Sequence, residues 1–430
     1  MTDRSVASHV LRRLTFGPTA TEVDAAVRAG VEPTVSRLLA PAALPTPPAL
    51  GADPVGALGK DATKEQKQTA RKQMQDQVTA LTWWWVDRLA QTGATATEKL
   101  TFFWHGHWAT SVQKVRSANL MFNQQQVFRR YGTGATGPLV RAMLRDPALI
   151  VWLDGQRNTR KAPNENLARE VMELFTLGVG HYTEDDVKAA AKVLTGWQVD
   201  RATGTARLAP QRHDDRPVTL LGHTGPLDVD GFADLLTRHP AHVPFLAARI
   251  WARYGSDDPA TAGMTAALAA AGNDPNAMLR ILATHESYPE TAGHLVKQPV
   301  EWVVGALRQL NVDTAALTGN QRKQVLGALH GLGQVPFRPP SVGGWPVGAA
   351  WLTTSSTQAR LRFGQQFAGL APAAVDRLAT AKAADRLDAC AVLLAVDAWS
   401  ERTAAVLRPA AADPRKLLAV ALATPEYTVQ

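Results

Sequence analysis

The order of apolar and polar positions along the chain has the period of helices far more often than that of strands. Apolar residues recur at three- and four-residue spacing through Ser5–Leu14, Ala20–Ala29 and Glu32–Leu39. Strict alternation, the mark of a half-buried strand, is scarce. After a Pro/Gly/Ala connector at Leu44–Asp53, the stretch Lys64–Gln91 reads as one long helix, polar at first and apolar around Leu81–Leu89. Its Trp83-Trp84-Trp85 triple spreads indoles round most of the circumference, so this helix is expected to be covered on several sides. Helices are also predicted over Glu98–His105, Met121–Tyr131, Gly137–Leu144, Glu165–Leu177, Glu184–Trp197 and Val229–Thr237, then on to Gln334 with breaks at Pro240, Pro244 and Pro299. Asp200–Gly222 mixes Thr, Gly, Pro and Arg with short β-like pieces and is expected to be a loop or small hairpin. Gln334–Trp351 is Gly/Pro-rich, yet Phe337, Trp345 and Trp351 favour an ordered course. The fold class predicted is mainly α: a single multi-helix domain, co-extensive with residues 1–430, with at most a small β-hairpin insertion near 200–222 and Ala/Leu-rich helices over 361–430.

Composition narrows the function classes. Of 430 residues, 45% are hydrophobic and 20% charged, an ordinary globular balance. The formal net charge is +8, but the only basic tract, Lys60–Lys72, is interrupted by Asp61 and Glu65, so nucleic acid is not an expected partner. No apolar run reaches membrane-spanning length. The N-terminus carries no apolar leader pattern, which makes the cytoplasm the default compartment, with export on a partner as the alternative. The single cysteine, Cys390, lies in an apolar helical run and reads as a core residue. Nucleotide loops, the nucleophile elbow and the His-Glu-X-X-His signature are absent from the sequence.

Three polar clusters could carry chemistry. In Pro163–Phe175, Asn166, Arg169, Glu170 and Glu173 fall at i, i+3, i+4 and i+7, one stripe on a helix that Asn164 could cap. The bland reading is a surface helix with an Arg–Glu pair; the functional one is a carboxylate pair in a cleft, holding a cation or dividing acid and base roles. In Phe102-Phe103-Trp104-His105-Gly106-His107-Trp108, a continuous helix would send the two imidazoles apart. A helix stopped at Gly106 would let them converge on one metal. Otherwise they are hydrogen-bonded histidines in an aromatic layer. His213-Asp214, on the irregular stretch, is either a ligand pair or solvated loop charge. His9, beside Arg12 and Arg13, is a weaker candidate.

The same segments carry a resemblance. His9–Pro18, Glu98–Trp108, Asp146-Pro147-Ala148 with Leu153-Asp154, Pro163–Gly180, Tyr182–Val187, Leu194-Thr195-Gly196-Trp197, His213-Asp214, His239-Pro240, Lys297-Gln298-Pro299-Val300-Glu301 and Gly344-Trp345-Pro346 occur in that order. Together they resemble the bacterial family catalogued as domain of unknown function 1800, over about residues 9–360. The resemblance implies one co-extensive domain and brings no agreed activity. It also implies a neighbour, since many relatives are exported and encoded beside a sulfatase-like family. It singles out His9, His105, His107, Asn164, Glu165, Asn166, Arg169, Glu170, Glu173, His213 and Asp214.

The leading expectation is a metal-dependent enzyme, hydrolytic or oxidative. His105, His107, Glu170 and Glu173 would line one cleft, with His213 and Asp214 closing over a divalent ion; the mixed ligand set suits Fe, Mn or Zn. The alternatives are metal-free acid–base catalysis by Glu170 and Glu173 with Arg169 and the histidines as electrostatic support, a non-catalytic helical scaffold or secretion partner of a sulfatase-like protein, and, more weakly, haem binding; Asn166 is a further catalytic candidate.

Overall fold

The computed structural model describes residues 3–91, 93 and 95–430. It is 62% helical, with 23 α-helices and two small antiparallel hairpins among the described residues. Local chemistry sets many of the boundaries. Thr19 with Glu22, Thr183 with Asp186 and Thr318 with Gln321 close reciprocal capping boxes at the starts of the Ala20–Ala29, Glu184–Val193 and Gly319–Leu332 helices. Asp146 and Asp274 cap helices whose first residue is a proline, where the missing N–H costs nothing.

The helix Lys64–Gln91 runs as expected. Val78, Leu81, Trp85, Val86 and Leu89 are buried along its second half, while Trp83 and Trp84 are only half-buried. The β element is larger than predicted and starts earlier. Trp197–Asp200 pairs with Thr205–Leu208, and Val218–Leu220 pairs with His223–Gly225. Cys390 is buried. No helix among the described residues is long and apolar enough to cross a membrane.

Two hydrophobic clusters make up the interior. The helix Thr95–His107 lies between them: Phe103 and Trp104 pack into one, Phe102 into the other. The 334–351 connector is ordered against this helix. Phe337 is fully buried in a left-handed conformation (φ 67°), with its N–H donated to His105 Nε2 at 2.8 Å and its carbonyl accepting from the Val112 N–H at 2.9 Å. Those two bonds hold a backbone geometry that a bulky side chain otherwise avoids. The C-terminus returns to the middle of the chain: Leu295 and Gln430 exchange both backbone hydrogen bonds, at 3.2 and 2.8 Å.

Candidate functional site

The aromatic–histidine segment departs first from expectation. Gly106 does not stop its helix, which continues to His107. The two imidazoles therefore diverge, as the i, i+2 spacing on a continuous helix requires. His105 enters a nest of Trp85, Phe102, Phe337 and Trp345, and its Nε2 lone pair is occupied by the Phe337 N–H. His107 faces Phe103, Phe175 and Phe245 and donates its Nε2–H to the Phe175 carbonyl at 2.8 Å. Burial pushes both rings down to about 3, so both are neutral. The 334–351 connector crosses the helix at Gly106 instead. Gly344 (φ +87°) lies so close that a Cβ there would sit 2.4 Å from the Gly106 carbonyl oxygen, and Trp345 packs over the Gly106 Cα.

The carboxylate segment also rearranges. A short α-helix, Asn166–Glu170, opens into a wider π turn over Val171–Thr176, where the Leu177 N–H reaches back five residues to the Met172 carbonyl at 2.9 Å. A 100°-per-residue stripe cannot cross that junction unchanged. Arg169 turns away to Glu184 and Glu165, at 2.8 and 3.1 Å. Asn164 and Asn166 form a local turn, with the Asn166 side chain on the Leu153 carbonyl. Glu173 accepts the Tyr182 hydroxyl at 2.7 Å, and Glu170 stands half-buried beside it. Burial, then the charge of Glu173, raises the Glu170 carboxyl against the opposing pull of Arg169.

His213 stays on its loop, with Nδ1 3.0 Å from the Thr195 carbonyl. Asp214 is buried and held down to about 2, chiefly by the hydrogen-bonded Arg216 guanidinium. His9 is buried against Tyr288, with Nε2 3.0 Å from Thr291 Oγ1. The expected metal cluster is thus not assembled: among the described residues no three His, Cys, Asp or Glu side chains are placed to share an ion. The physical reasons are the unbroken helix at Gly106, the π turn before Glu173 and the Arg216 clamp on Asp214.

Reading by pattern missed a buried charge network lying between the two cores. Lys99 Nζ and Glu301 Oε1 are 2.5 Å apart, both side chains almost wholly buried. Arg253 holds the other Glu301 oxygen at 3.1 Å. Lys99 also donates to the carbonyls of Arg12 and Thr15, and Arg13 to that of Thr291. Lys297 lies 3.8 Å over the Tyr427 ring. Burial lowers Lys99 and Lys297 to about 7, whereas the cations around Glu301 outweigh burial and keep it ionised well below the usual carboxylate range.

Arg253 connects this network to a cleft of about 280 Å³. Helix His242–Tyr254 contributes Arg249 and Arg253, one turn apart, and the Thr95–His107 helix contributes Phe103 and His107. Gln298 and the Trp345-Pro346-Val347 segment complete the walls. Three buried polar atoms on lining residues have no partner among the described residues: Arg253 Nη2, Trp345 Nε1 and His107 Nδ1. Arg249 has no carboxylate partner among the described residues and lies against the Phe245 ring. The signal that could have found this site is a pair of arginines at i, i+4 in an otherwise apolar run of Val243, Phe245, Leu246, Ile250, Trp251 and Tyr254.

The sequence profile described as "Protein of unknown function (DUF1800)" matches residues 9–429. The chain belongs to this family. The match runs past residue 360, so the Ala/Leu-rich C-terminal helices are part of the family domain. No curated protein and no solved structure matches the chain. Of the segments that carry the resemblance, Lys99, Lys297 and Glu301 fall in the buried charge network, and Trp345-Pro346 in a wall of the cleft.

Proposed function

We propose that this protein binds a small anionic organic molecule in the cleft between Arg249, Arg253, His107 and Trp345. One observation carries the reading: two guanidiniums on one helix face a concave space whose walls include no carboxylate, and one of them keeps a buried nitrogen unpartnered. Arg253 spends one nitrogen on Glu301 and keeps another free, and half-buried Arg249 has no carboxylate partner among the described residues, so an anion arriving there meets donors partly desolvated and held in place. Arg253 is fixed by Glu301 and Arg249 by the Phe245 ring, so little ordering is left for binding to impose. The rest of the wall is aromatic and apolar, and Val347 at the rim is 59% exposed, which suits an apolar body on the ligand.

The test is calorimetry and thermal shift with benzoate, phenylacetate and inorganic phosphate on the wild type and Arg249→Gln. Loss of a charge-assisted hydrogen bond corresponds to roughly 10- to 100-fold weaker binding. Equal affinity of the two proteins for every anion, or no binding by the wild type, overturns the reading.

A second reading, acid–base chemistry by Glu170 and Glu173, draws support from one observation. Tyr182 donates to Glu173, and burial with that neighbour raises Glu170, the direction a general acid needs. Turnover that survives chelation and is lost in Glu170→Gln is its test.

A further inference from the structure

The cleft's unused hydrogen-bonding groups specify more than a charge. His107 donates its Nε2–H to a carbonyl, and a carbonyl can only accept, so the tautomer is set. Its Nδ1 then carries a lone pair. That atom is buried with no partner on a side chain only 3% exposed. The imidazole stays neutral because burial, and then Arg249, disfavours its charged form. Among the described residues the cleft's lining therefore carries one unpartnered buried acceptor, His107 Nδ1, and two unpartnered buried donors, Arg253 Nη2 and Trp345 Nε1–H, beside the half-buried Arg249 guanidinium.

We propose that the ligand of this cleft is a hydroxylated carboxylate: a carboxyl group taken by Arg249 and Arg253, with a neighbouring hydroxyl donating to His107 Nδ1. The inference rests on the anion-binding reading above and narrows it to a substrate class. Arg253 has one terminal nitrogen committed to Glu301, so the two arginines together offer a short, planar recognition edge. A carboxylate fills it with two oxygens. A simple carboxylate lacking a donor would leave the imidazole lone pair desolvated and unpaired, which is how buried polar groups discriminate against deoxy analogues. An ammonium donor is disfavoured, because its charge would sit beside two guanidiniums.

Matched pairs that differ by one hydroxyl test this on the unmodified protein, with no risk of a misfolded variant: mandelate against phenylacetate and lactate against propionate, titrated by calorimetry at concentrations into the millimolar range. The hydroxylated member of a pair is expected to bind about five- to ten-fold more tightly, the worth of one neutral hydrogen bond. His107→Phe keeps the ring stacking, removes the acceptor and should bind both members alike. If wild type binds the carboxylates with Arg249 dependence but shows no preference for the hydroxyl in either pair, the substrate class is wrong and the anion site stands. Retention of a hydroxyl preference in a folded His107→Phe protein, judged by its circular dichroism, assigns the acceptor elsewhere and also overturns the proposal. If none of the four ligands binds, the hydroxycarboxylate class is overturned, and the anion site falls with it only when benzoate and phosphate also fail to bind.

Discussion

At the residue scale, burial decides what the titratable groups do. His9, His105 and His107 are each lowered from 6.5 to about 3 by burial. The unfolded chain therefore binds more protons than the folded one between those values, and stability falls as pH drops from about 6.5 toward 3. Each imidazole contributes about 1.4 kcal/mol per pH unit in that window, so the three together steepen acid unfolding by about 4 kcal/mol per unit. The same sign applies at the other end for Lys99 and Lys297, lowered from 10.5 to about 7: their penalty is present below pH 7 and relieved as pH rises toward the unfolded value. Urea midpoints measured across the pH scale should accordingly climb from acid through neutrality into mild alkali, and a flat profile between about pH 4 and 6 would contradict the buried neutral imidazoles. Charge removal separates structural carboxylates from available ones. Glu301→Gln leaves Lys99 and Arg253 buried without their counter-charge and should destabilise by about 3–5 kcal/mol in denaturant titrations. Glu170→Gln removes a half-buried carboxylate that another carboxylate repels, so its midpoint should stay within about 1 kcal/mol of wild type or rise.

At the element scale, two glycines where the connector crosses the Thr95–His107 helix behave oppositely. A Cβ at Gly106 would meet only the edge of the Trp345 ring, 3.7 Å away, in ordinary contact, and the position lies inside a helix. Gly106→Ala should therefore be neutral or stabilising by up to about 1 kcal/mol, from helix propensity. Gly344 has a left-handed backbone and a Cβ there would clash with the Gly106 carbonyl. Gly344→Ala should cost roughly 2–3 kcal/mol and displace Trp345, read as a change in near-ultraviolet circular dichroism alongside the melting temperature. The contrast also explains a misreading. A glycine between two histidines has the signature of a helix stop, but the helix runs on through Gly106, and the connector that crosses it makes its close approach through Gly344. Nothing in seven local residues discloses a neighbour that arrives 238 positions later. The π turn at Val171–Thr176 is the same kind of case: helical period was legible, while its local widening, which reorients Glu173 toward Tyr182, was not.

At the scale of the whole molecule, one of the two cores is closed by elements distant in sequence. Val429 bridges to Val296, Tyr427 lies under Lys297, and the Thr354–Leu370 helix packs on Pro414–Ala421. Deleting residues 361–430 should therefore not leave a folded remainder. The expected outcome is insoluble or protease-sensitive protein, and a truncated chain with native melting behaviour would count against this interdependence. The sequence by itself determined the helical class, the run of Lys64–Gln91, the burial of Cys390, the order of the 334–351 connector and the family, because periodicity, capping residues and turn chemistry are local and written at fixed spacings. Tertiary structure alone decided which polar groups meet. It gave Arg169 to Glu184 and placed Lys99 against Glu301 and Arg253 beneath a cleft. Those pairings join residues as far as 202 positions apart. Their strength comes from burial, and burial is a property that no single segment of the chain possesses before the others pack around it.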